Sequence, residues 1–61
     1  SETAQFAAAI AGFGQLLTGE KYLNGWTWDK NIALALSSKG DDPFGYRAEA
    51  IQLMRLSKSL K

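Results

Sequence analysis

The 61-residue chain has no cysteine and no histidine, and only one proline. Without Cys or His it can form neither a disulfide nor a Cys/His zinc site. The commonest nucleophile, general-base and transition-metal schemes lose their side chains as well, which leaves carboxylates, Lys, Tyr and Ser as possible actors. No sign of charge predominates: seven Lys and Arg stand against six Asp and Glu, a net +1. The basic residues, Lys21, Lys30, Lys39, Arg47, Arg55, Lys58 and Lys61, are scattered. Nucleic-acid binding needs clustered positive charge that displaces counterions from phosphates, so no nucleic-acid partner is expected. Only the tail from Arg55 to Lys61 is locally basic, and it reads as cations complementing a helix C-terminus. Long hydrophobic runs are also missing. The most apolar stretch, Phe6 to Leu17, is well short of the roughly 20 residues that span a bilayer, and no basic segment precedes it as in a signal peptide. No membrane insertion by this segment is expected.

A chain this short makes one domain at most and buries only about 60% of its unfolded surface, so stability has to come from tight packing or from a partner. The missing cysteine is neutral about compartment, since reducing and oxidising environments both tolerate a Cys-free protein. The chain starts at Ser1 without an initiator Met, and its first residues already look helical. Residues 1–61 are therefore expected to be a single helical domain excised from a larger protein, with any signal, anchor or catalytic domain lying upstream.

Three helices can be read from what is present. Ser1 can cap a first helix from about Glu2 to Leu17, in which Phe6, Ile10, Phe13 and Leu17 recur at helical spacing and Gly19 follows as a stop. Asn24-Gly25 marks a tight turn in a connecting loop that carries Tyr22, Leu23 and Trp26. Thr27 can cap a second helix from about Trp28 to Lys39, with Trp28, Ile32, Ala35 and Leu36 on one face, Asp29 in the first turn and Gly40 past the end. Asp42 before Pro43 reads as a cap followed by proline at the first helical position, so a third helix is expected from Pro43 to about Leu60. Tyr46, Ala50, Leu53, Met54, Ser57 and Leu60 would form its core-facing arc, with Gln52, Arg55 and Ser59 opposite. The expected architecture is all-α, a small three-helix bundle.

Few residues suggest chemistry. Asp41 and Asp42 could offer oxygens to calcium, but a calcium loop spreads its ligands over about twelve residues, and capping explains them better. Gly12-Phe13-Gly14 lacks the third glycine of a phosphate loop and falls mid-helix, where glycines would allow close helix approach. Tyr and Arg dominate binding hot spots, which singles out Tyr46, Arg47 and Glu49. Tyr46 is expected to pack inward, while Arg47 would pair with a carboxylate across the bundle or lie along the surface. Arg47 and Glu49 are thus the candidate partner contacts on the third helix. Tyr22, Trp26 and Trp28 form a second aromatic concentration, readable as core packing or as an apolar platform for a carbohydrate or peptide. No catalytic, cofactor-binding or metal-binding residue emerges, and enzymatic activity is not expected.

Several blocks resemble a known family. Phe6-Ala7-Ala8-Ala9-Ile10 with Phe13-Gly14 and Leu16-Leu17, then Ile32-Ala33-Leu34-Ala35, and finally Gly45-Tyr46-Arg47-Ala48-Glu49 with Ile51-Gln52-Leu53 are similar to the short C-terminal domain that follows the von Willebrand factor type A domain in bacterial YfbK-like proteins. These blocks cover nearly the whole chain, and the Gly-Tyr-Arg-Ala-Glu block is the most specific of them. Ala50 departs from the larger apolar residue expected at its place. The resemblance implies a C-terminal position in a larger protein and an accessory role in protein interaction. It implies as partners the adjacent type A domain or other envelope proteins, and the bacterial envelope or periplasm as location. The metal-ion-dependent adhesion motif of the type A domain, Asp-x-Ser-x-Ser, is absent from these residues, so no metal site is carried over. The independent alternative is a ligand- or peptide-binding module built on Tyr22, Trp26 and Trp28.

Overall fold

The computed structural model describes residues 1–19 and 25–60. Helix α1 spans Glu2–Leu17, α2 spans Trp28–Ser37 and α3 spans Tyr46–Leu60, with no strand among the described residues. The all-α expectation holds, as do the bounds of α1. The Ser1 hydroxyl accepts from the Ala4 N–H at 3.2 Å, and the Thr27 hydroxyl does the same for Lys30 at 3.2 Å. Each satisfies one of the N–H groups that a helix start leaves without a partner. At the far end of α1, Gly19 takes φ of +75°, and its N–H reaches the Leu16 carbonyl. Helix α2 ends two residues before the expected Lys39, where the Ser38 hydroxyl donates to the Leu34 carbonyl at 2.6 Å.

Helix α2 packs against both α1 and α3. The core is small: Phe6 and Ala9 of α1, Ile32 and Ala35 of α2, and Ile51 and Met54 of α3, with Phe13, Leu34 and Ala50 packed on its margin. Trp28 is buried beside this cluster and meets Phe13 edge to face, with ring centroids 6.0 Å apart. Alanines at the closest approaches let the short helices come near enough for few large side chains to fill the interior. Gly12 does the same: a Cβ there would lie 2.3 Å from Asn31 Oδ1. The expectation of close approach is met at Gly12 but not at Gly14, where the space is open.

Two expectations about α3 are corrected. The helix starts at Tyr46 rather than Pro43, because Asp42-Pro43-Phe44-Gly45 closes a turn in which the Gly45 N–H donates to the Asp42 carbonyl at 3.0 Å. Aspartate first, proline second and glycine fourth are the residues such a turn favours. Asp42 still caps the helix, from farther away. It adopts φ of +47°, and its two carboxylate oxygens accept from Arg47 N–H at 3.0 Å and Ala48 N–H at 2.8 Å. Those are the donors a capping side chain normally serves.

The expected core-facing arc of α3 is rotated. Met54 is buried, and Ala50 and Ser57 are half-buried, but Tyr46, Leu53 and Leu60 face outward, and Ile51 takes an inward place the arc had omitted. Apolar residues occupy more than half of this helix's circumference, so periodicity alone leaves its orientation free. Polar contacts accompany the orientation seen. Lys58 pairs with Asp29 of α2, and the Arg47 side chain reaches the end of α2.

Candidate functional site

Two polar side chains fasten the helices to one another. Asn31, fully buried on α2, donates from Nδ2 to the Ala9 carbonyl of α1 at 3.0 Å, and the same nitrogen lies 3.7 Å from Met54 Sδ of α3. Its Oδ1 accepts from the Trp26 indole N–H at 3.1 Å. A buried amide is tolerated only when its donors and acceptors are met, and here both ends are. Sequence reasoning missed Asn31. The available signal was a polar residue at the buried spacing of Trp28, Ile32 and Ala35, opposite a mid-helix glycine on α1.

Arg47 is the second fastener. Its guanidinium donates to the carbonyls of Lys39 at 3.1 Å and Ser38 at 3.4 Å, just past the C-terminal end of α2, where the helix dipole favours a cation. It also reaches Thr3 Oγ1 at 3.5 Å and lies 5.2 Å from the centroid of the Phe6 ring, within cation–π range. Arg47 therefore joins the start of α1, the end of α2 and the start of α3. Beside it, partial burial pushes the Asp42 carboxyl upward, but the N–H groups of Arg47 and Ala48 and the cations Lys39 and Arg47 outweigh that. The net result is a pKa below the ordinary 3.8.

The other candidates separate. Trp28 is in the core and Trp26 is half-buried with its indole N–H engaged by Asn31, so these two do not make the exposed platform that a ligand module would need. Tyr22, the third member of that group, lies outside the described residues, with Leu23 and Asn24. Glu49 is exposed on the outer face of α3. On that face Tyr46 is 71% exposed, Leu53 and Leu56 are each 56% exposed and Leu60 is 79% exposed. Phe44, 79% exposed, extends the patch by stacking on Tyr46 with ring centroids 5.9 Å apart. Between α2 and α3 an open groove of about 360 Å³ is lined by Asp29, Ile32, Arg55, Lys58 and Ser59. Its carboxylate is paired with Lys58, which leaves no poised acid–base pair there. No helix among the described residues is long and apolar enough to cross a membrane.

These features define a small all-α domain whose buried polar side chains serve to hold its own helices together. The family described as "Uncharacterized protein YfbK, C-terminal" matches residues 1–60, and the chain belongs to it. It is 47% identical over 57 residues to "Uncharacterized protein YfbK" of Escherichia coli (strain K12), an overlap of 93% of this chain and 10% of that protein. The chain thus spans about a tenth of the length of the curated relative it matches. No solved structure matches it.

Proposed function

We propose that this is a non-catalytic accessory domain that packs on, or positions, a neighbouring von Willebrand factor type A domain and supports that domain's engagement of protein partners. The observation that carries the reading is the family match: a segment described as C-terminal, forming about a tenth of a much longer relative. Three features support it further. The core is marginal for independent life. Cys and His, the commonest nucleophile and general base, are missing from the sequence. A row of large apolar side chains remains uncovered on α3. The identity of the neighbour comes from the family resemblance.

The test uses the gene that encodes this chain. The sequence preceding Ser1 should encode a type A domain carrying Asp-x-Ser-x-Ser, and deleting residues 1–61 from the full-length protein should weaken its capture of protein partners while that domain stays folded. An upstream sequence without such a domain ends the proposal.

A further inference from the structure

We infer that the outer face of α3, formed by Tyr46, Leu53, Leu56 and Leu60 with Phe44 stacked at its edge, docks in cis on an apolar surface elsewhere in the same parent polypeptide. The inference rests on the accessory-domain reading and adds to it the surface that makes the contact. Tyr46, Leu53 and Leu60 repeat every seven residues, and Leu56 falls between the last two, so the four lie along one line of the helix, the spacing of a packing seam. This line lies on the opposite side of the helix from Ile51 and Met54, which the bundle already covers.

Area and charge choose the occupant. Weighting each of the five side chains by its exposure gives about 500 Å² of apolar surface, from ordinary side-chain areas. A stable dimer needs about 800 Å² from each partner, so a second copy would be held weakly. Contacts between domains of one chain bury about 600–1,500 Å² in total, and this face supplies one side of such a contact. Tethering relaxes the requirement further, because a linked partner is present at an effective concentration of about millimolar. A chain related to only a tenth of its curated relative leaves ample polypeptide to provide the other side. The one charge on this face is the exposed Glu49, which stands in the seam between Tyr46 and Leu53, and the bordering residues, Ala50 and Ser57 on one flank and Gln52 and Ser59 on the other, carry none. A lipid or nucleic-acid surface would call for cations there. Arg55 lies across the helix from the seam, and Lys58 is turned to Asp29.

The experiment uses the full-length parent protein with a photo-reactive residue in place of Leu53 and, separately, of Gln52 on the polar flank and Ala11 on the exposed side of α1. The expected result is an intramolecular cross-link from position 53 to a peptide outside residues 1–61, with little or none from 52 and 11. A cross-link from 53 to a second copy, seen as a doubled mass, overturns the inference in favour of self-association. Capture from position 11 but not 53 overturns this surface while leaving the accessory reading standing. If no position captures the rest of the chain, both fall. The double variant Leu53→Glu and Leu56→Glu, in the same full-length protein with the photo-reactive residue moved to position 60, should lose the intramolecular cross-link while α3 keeps its helical amide protection. A cross-link that survives the double variant counts against docking.

Discussion

The outer face of α3 carries more large apolar side chains than the inner one, yet only the inner ones are enclosed. Ile51 and Met54 on the inner face are enclosed by α1 and α2, while Leu53 and Leu56, their immediate neighbours in sequence, stand in solvent. The polar contacts of the helix fall on the same side as its buried residues. Arg47 and Lys58 sit on the inner side near either end of the helix and find the end of α2 and Asp29 respectively. The outer side offers only Glu49. The polar contacts and the buried side chains thus mark one and the same face of the helix.

The comparison can be broken most directly by truncating one residue on each face. Met54→Ala should cost about 2–5 kcal/mol, comparable to the whole stability of a domain this size, so the variant should show no cooperative urea transition by circular dichroism. Leu53→Ala should change stability by no more than about 0.5 kcal/mol in the same measurement. Equal losses would mean that both faces belong to the core.

A smaller contrast is expected on α1, between a glycine beneath a buried amide and one in open space. Gly14→Ala should stabilise by about 0.5–1 kcal/mol through helix propensity. Gly12→Ala gains the same propensity but drives a methyl into Asn31 and breaks its bond with Trp26, for a net loss of about 1 kcal/mol or more. Chemical denaturation of the pair should give opposite signs, and a matching sign would show that Asn31 can move aside at little cost.

The smallest effect concerns the start of α3. The Asp42 carboxyl has a folded pKa below its ordinary value of 3.8, so its contribution is complete above that pH and is lost as pH falls through the lower folded value. Stability of the wild-type chain should therefore fall more steeply below pH 3.8 than that of Asp42→Asn, which keeps the side-chain shape and tolerates the positive φ. Parallel acid titrations would remove the carboxylate from the capping role.

Local signals carried the reading of the fold a long way. Ser1 and Thr27 are caps whose effect is confined to one turn, and both are where they were expected. The start of α3 was misplaced because Asp-Pro serves a helix start and a turn equally well, and only Gly45 two residues on favours the turn. The orientation of α3 is ambiguous for a reason of geometry: eight apolar positions spread over a wide arc permit several rotations. The site was less legible still. Arg47 acts on carbonyls of residues eight and nine positions earlier, and Asn31 on a carbonyl 22 positions earlier. Such pairings leave no periodic trace in a single chain.

Helix α1 turns Phe6, Ala9, Phe13 and Leu16 toward its neighbours, while its alanines at positions 4, 7, 8 and 11 are exposed. The notch at Gly12 and the Asn31 amide that enters beside it add a polar contact to that packing. A shift of one turn, about 5.4 Å, would bring Leu16 to where Gly12 lies and leave the amide facing a side chain instead of an open carbonyl. Asn31 thus acts as an index mark between α1 and α2. It excludes neighbouring registers, and in a domain with so small a core, that discrimination keeps the outward row of α3 in one fixed place.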